Sequence, residues 1–108
     1  MKEQFYVVAK HPGQDAEIIA HSLTLETMQN FVGGLIEFIF PPGLPEGVSV
    51  VMNEEGKLEG LEPCFPIGDY DVAVGPALFV GSDGEGGTIG LTVAQATAVM
   101  EWLGERGL

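Results

Sequence analysis

Cations are scarce in this chain. Four Lys and Arg stand against 16 Asp and Glu in 108 residues, a formal net charge of −12. Proteins that hold DNA or RNA by its phosphates need clustered Lys and Arg, so the balance argues against direct nucleic-acid binding. It argues equally against docking on an anionic membrane surface. Cysteine is almost missing: Cys64 stands alone, so it can form no internal disulfide and anchor no cysteine-based zinc site. Long apolar runs are also lacking. The nearest, residues 35–40, contains Glu37 and stops at Pro41-Pro42, far short of the ~18–20 residues of a membrane span. The apolar stretch near the amino terminus is too short for the core of a signal peptide. A lone thiol suits a reducing compartment, and the chain reads as cytoplasmic.

What is present is a globular composition, 45% apolar and 19% charged. The length fits a single domain over residues 1–108. A chain of this size buries roughly 65% of its extended surface, enough for one core. Sixteen Gly and seven Pro divide it into short elements.

Residues 5–10 and 16–21 read as two strands joined by the turn His11-Pro12-Gly13-Gln14-Asp15. Thr24 can cap a helix in which Leu25, Met28, Val32 and Leu35 recur at helical spacing. Gly33-Gly34 stops it. Residues 36–40 and 48–52 read as strands, with Glu37 turned away from the core. Asn53-Glu54-Glu55-Gly56 has the form of a type I turn closed by a left-handed glycine, with a return strand expected from Lys57. Residues 64–70 read as irregular, 71–80 as one strand broken at Gly75-Pro76, and 81–90 as a glycine-rich loop or hairpin tip. Thr92-Val93-Ala94-Gln95 has capping-box form. Val93, Ala96, Val99, Met100 and Leu103 then give the second helix an apolar stripe. The order predicts an α+β fold, two helices packed on a mostly antiparallel sheet of about five to six strands.

The familiar chemical motifs fail one by one. The glycine-rich segment has no lysine for a P-loop, and Ile89 stands where a dinucleotide fingerprint needs its third glycine. An EF-hand fails because Ala94 occupies the position of the bidentate glutamate. Asp69-Tyr70-Asp71 offers two carboxylates, too few for a dedicated cation site. His11 and His21 flank one hairpin, but two histidines do not complete a tetrahedral metal site. Cys64 among carboxylates favours its neutral thiol, which reads as a small apolar filler beside Phe65 rather than a nucleophile. Trp102 reads as core, packed with Phe31 or Phe65. No catalytic residue, cofactor or metal ligand set is indicated.

Two segments carry a resemblance. Leu25-Glu26-Thr27-Met28-Gln29-Asn30-Phe31-Val32-Gly33-Gly34-Leu35-Ile36-Glu37 and Asn53-Glu54-Glu55-Gly56-Lys57 are similar to the signature of the domain-of-unknown-function family DUF3846. Its members are small proteins of bacteria, phages and plasmids. The resemblance covers roughly residues 5–105. It implies no established activity and no catalytic residues, but it does imply a mobile-element setting. The chain departs from the pattern at residues 61–66, where an asparagine is expected near Cys64.

The functional expectation is a non-enzymatic interaction module whose acidic surface meets a protein partner, basic or DNA-binding. Glu37, Asn53, Glu54, Glu55, Asp69 and Asp71 are its candidate contact residues, with Asn53 solvated at a turn tip. A small-molecule binding or sequestering protein is the alternative, and an enzyme of unknown class the next. Association with a second copy is compatible with either.

Overall fold

A computed structural model describes residues 4–69 and 71–108. Met1 to Glu3, at the head of the segment read for a leader, and Tyr70, in the Asp69–Asp71 run, lie outside the described residues. The element order is β1 (Phe5–Lys10), β2 (Glu17–His21), α1 (Leu25–Val32), β3 (Ile36–Ile39), β4 (Val48–Asn53), β5 (Pro63–Ile67), β6 (Asp71–Val74), β7 (Ala77–Ser82), β8 (Thr88–Ile89) and α2 (Val93–Gly104). The larger sheet has six strands in the order β2-β1-β7-β4-β3, with β8 also paired to β7, and β5-β6 forms a second, small sheet. The strand pairs are antiparallel throughout. The fold is α+β.

Local chemistry starts and stops both helices. The Thr24 hydroxyl accepts the Thr27 amide at 3.2 Å. Gly33, at φ 80°, ends α1 in the left-handed region that glycine enters without strain. Its amide donates to Gln29 O at 2.9 Å. The expected capping box opens α2: Gln95 N donates to Thr92 Oγ1 at 3.0 Å, and Thr92 N to Gln95 Oε1 at 2.9 Å.

Alternation along the strands divides the core in two. Val7 and Ala9 of β1, Val51 of β4, and Leu78 and Val80 of β7 share one buried cluster with Met28 and Val32 of α1. Val8, Val48, Val50, Met52, Ala77 and Phe79 point to the opposite face. They share the other cluster with Cys64, Phe65 and Ala73 of β5-β6 and with Ala96, Val99, Trp102 and Leu103 of α2. Trp102 stands edge-on to Phe65 at 5.5 Å, and its Nε1 donates to Pro42 O at 3.1 Å. Phe31 instead sits between His11 and His21, its ring 5.2 and 5.6 Å from theirs.

Several sequence expectations need correction. The return strand after Asn53 does not form, because β4 already has β3 on one edge and β7 on the other; residues 54–60 make successive turns instead. Residues 63–67 are a strand despite two prolines, since β5 has only one partner and so an open edge that needs no donors. Residues 71–80 are two strands in different sheets, separated at Gly75-Pro76. Val93 is exposed, so the buried stripe of α2 begins at Ala96 and includes Trp102. Within 81–90 the chain continues β7 to Ser82 and returns as β8, leaving the loop at 83–87.

Asn53 is buried rather than solvated at a tip. Its Nδ2 donates to Val32 O at 3.2 Å and to Glu59 Oε1 at 2.8 Å. Its Oδ1 accepts the Glu55 amide at 2.8 Å. The approach is close: a Cβ on Gly34 would lie 3.0 Å from Asn53 Nδ2, so the amide would have to shift by a few tenths of an ångström. Gly56 does not adopt the left-handed turn expected of it. It is needed because a Cβ there would lie 2.8 Å from Val74 Cγ2.

Three outcomes follow from this packing. Asn53→Ala leaves the Val32 carbonyl without its side-chain donor, and urea denaturation should show a loss of about 1–3 kcal/mol. Gly56→Ala should cost about 1–3 kcal/mol by overpacking, and much of that loss should return in a Val74→Ala background; an unrelieved loss would point to backbone strain instead. Burial pushes the Cys64 thiol up to about 11, with the Lys10 charge opposing the shift. The native state therefore holds this proton more tightly than the unfolded chain does. The associated stability is intact below the ordinary thiol value of 9.0 and is lost as pH rises toward about 11. Between pH 8 and pH 11 the native protein should lose on the order of 2 kcal/mol more than Cys64→Ala, by parallel denaturant titrations.

Candidate functional site

Five of the six candidate residues converge. Glu37 from β3, Asn53 from the end of β4, Glu54 and Glu55 from the following turn and Asp71 from the start of β6 all line one cleft of about 160 Å³. Asp69 is exposed and lies outside that lining. The floor is apolar, built from Ile39, Met52, Ile67, Val72 and Val74. The residues arrive there for separate reasons. Glu37 lies opposite Met52 in the β3-β4 ladder, and Met52 belongs to the cluster under β5-β6. Glu54 and Glu55 are set by Asn53 at the head of their turn. Asp71 comes from the small sheet, brought over by packing of Phe65 and Ala73 on the same core.

The charge at this cleft is unbalanced. Lys57 pairs with Asp71 at the rim, both half-exposed. The Lys57 ammonium, helped by the Val72 amide, holds the Asp71 carboxyl below the ordinary carboxylate range. The other described cations are engaged elsewhere. Lys10 is buried, with its ammonium donating to the carbonyls of His11, at 2.9 Å, and of Gln14. Arg106 lies 3.7 Å over the Trp102 ring and donates to Trp102 O at 2.7 Å. Among the described residues, the carboxylates of Glu37, Glu54 and Glu55 have no hydrogen-bond or ion-pair partner. A second, shallower groove of about 480 Å³ lies beyond Asn53 and Glu55, lined also by Gln29, Asn30, Gly33, Gly34, Leu35 and Glu59.

Sequence reading missed Lys57 and the apolar floor. The lysine carried a signal, being one cation among Glu54, Glu55 and Glu59. Ile67 and Val72 carried none, since they reach the cleft only through the β5-β6 hairpin.

Elsewhere the reactive side chains are occupied. The Cys64 thiol donates to Lys10 O at 3.4 Å, and its high pKa opposes a thiolate nucleophile. His21 Nδ1 lies 2.6 Å from Ser22 O. Asp83 Oδ1 accepts the amides of Glu85, at 2.7 Å, and Gly87, at 2.9 Å, which keeps that carboxyl below its usual range and spends it on its own loop. Among the described residues no group of three or more His, Cys, Asp or Glu could hold a metal ion. No described helix is long and apolar enough to cross a membrane.

The cleft can therefore attract positive charge at its rim and cover an apolar stem on its floor. Its volume, about 160 Å³, is that of about five waters. It is well below the roughly 300–1,000 Å³ of a site for a drug-sized ligand.

The segments that carry the family resemblance, 25–37 and 53–57, supply Glu37, Asn53, Glu54, Glu55 and Lys57 to the cleft and most of the lining of the groove beside it. No curated protein and no solved structure matches the chain. A family model matches residues 1–104, and the chain belongs to that family, described as a domain of unknown function (DUF3846).

Proposed function

We propose that this chain is a non-enzymatic interaction module that presents its acidic cleft to a basic protein partner in the cytoplasm. The observation that carries the reading is the grouping of Glu37, Glu54 and Glu55 around an apolar floor with no described cation on any of them. Desolvated at a partner surface, unpaired carboxylates cost free energy unless a cation meets them. Supplied with one, they speed encounter and discriminate between partners. The cleft has room for one side chain of a partner rather than for a whole metabolite. A mobile-element setting, which the family resemblance implies, suits a small chain that acts by binding a host protein.

The small-molecule alternative has one observation in its favour, the groove of about 480 Å³ beside Asn53. Ligand sites are lined mainly by apolar and aromatic side chains. This groove is lined by Gln29, Asn30, Asn53, Glu55 and Glu59 with a single large apolar residue, Leu35, which favours the protein partner.

Titration of a labelled basic peptide, followed by fluorescence anisotropy, tests the reading. Affinity should fall at least tenfold between about 50 and 300 mM salt. The triple variant Glu37→Gln, Glu54→Gln, Glu55→Gln should bind about tenfold more weakly, ~1.4 kcal/mol, while its melting temperature stays within about 2 °C, because none of the three carboxylates has a partner among the described residues. Equal affinity of the native and triple-variant proteins would remove the cleft from consideration.

A further inference from the structure

The sheet ends at β3, and its outer edge has no partner among the described residues. Which backbone groups face outward can be worked out. Glu54 N donates to Leu35 O at 2.8 Å. These residues continue the register that sets Glu37 opposite Met52 and Ile39 opposite Val50. In an antiparallel pair, hydrogen-bonded and non-bonded positions alternate. Leu35, Glu37 and Ile39 are therefore turned toward β4, and Ile36 and Phe38 point their N–H and C=O groups out of the sheet.

Side chains along this edge alternate in character as well as direction. Glu37 and Ile39 line the acidic cleft on one face. Phe38 lies opposite Val51 and so projects from the other face. Phe38 and Phe40 line a second depression there and are 40% and 75% exposed. Free edges are normally shielded by charge, proline or a covering element. Here the strand carries a single charge, Glu37, and the proline follows only at Pro41. The opposite terminal strand, β2, has one exposed large apolar side chain, Ile18, and contributes no residue to the acidic cleft.

We infer that β3 is a docking edge for an extended segment of a basic partner whose side chains alternate between basic and apolar. The inference rests on the basic-partner reading and specifies how the partner binds. Added to β3, such a segment takes up the outward backbone groups of Ile36 and Phe38. One set of its side chains then lies on the Glu37 face, where Glu54 and Glu55 receive Lys or Arg. The alternate set covers Phe38 and Phe40. Period-two alternation makes the acidic cleft and the aromatic shelf readable by a single strand.

Hydrogen exchange followed by NMR on the native protein tests this, with two capped peptides of one composition. Lys-Val-Arg-Val-Lys-Thr alternates, and Val-Val-Thr-Lys-Arg-Lys is its block isomer. The alternating peptide should slow exchange at the Ile36 and Phe38 amides at least tenfold and bind at least fivefold more tightly than the block isomer. Salt-sensitive binding that leaves both amides unprotected would overturn the edge while leaving the acidic-cleft reading in place. Equal affinity for the two peptides would overturn the alternation. Absence of binding by either peptide at low salt would overturn the basic-partner reading itself, and the docking edge with it.

Discussion

The buried amide of Asn53 is the contact on which the candidate site depends. It stands where helix α1, strand β4 and the following turn meet, and its three hydrogen bonds reach all of them: the Val32 carbonyl, the Glu59 carboxylate and the Glu55 amide. A buried amide is stabilising only when its donors and acceptor are satisfied together. That condition fixes the path of residues 53–59 and hence the place of the acids on it. Gly34 and Gly56 serve the same junction from either side by leaving space, one for the Asn53 side chain and one for Val74. The two segments that resemble the family signature are thus joined by packing, and their glycines and asparagine have structural reasons to be there. Glu37, Glu54 and Glu55 have no such reason within the described fold.

The charge imbalance gains meaning from where the few cations go. A net charge of −12 keeps a small apolar domain dispersed by self-repulsion whatever else it does. Yet Lys10 is sunk among backbone carbonyls and Arg106 lies on an indole. Among the described residues, only Lys57 serves a carboxylate at the cleft. The acids there are left to the solvent or to whatever binds.

Much of the fold was legible in local sequence because local chemistry decided it. The caps at Thr24 and Thr92, the stop at Gly33 and the β1-β2 hairpin depend on residues a few positions apart. The errors arose where distant segments decided the outcome. Asn53-Glu54-Glu55-Gly56 carries the composition of a hairpin tip, and only the occupation of both edges of β4 forbids a return strand. The same tertiary burial that turned Asn53 from a solvated tip into a hub gave Gly56 a steric role in place of a conformational one. Pro63 and Pro66 disguised β5, which tolerates them because its free edge asks for no donors. The acids of the site could be picked out as exposed, but their meeting could not. Asp71 reaches Glu37 only through a hairpin whose position is set by Phe65 and Ala73 in the core.

The strand order has a bearing on how the molecule is made. β7 lies between β1 and β4, pairing Val8 with Phe79 and Val50 with the same residue. The β1-β2 and β3-β4 hairpins leave the ribosome first and have no contact in the sheet until residues 77–82 arrive between them. Until then each is a two-stranded ribbon with an apolar inner edge exposed, too small to be stable alone. Closure joins residues about seventy positions apart, a costly loop to pay for before the core rewards it. Assembly of the sheet therefore waits on residues 77–82, which come after both hairpins in the chain. During synthesis the nascent chain carries two open edges, and its net charge of −12 opposes their pairing with neighbouring copies.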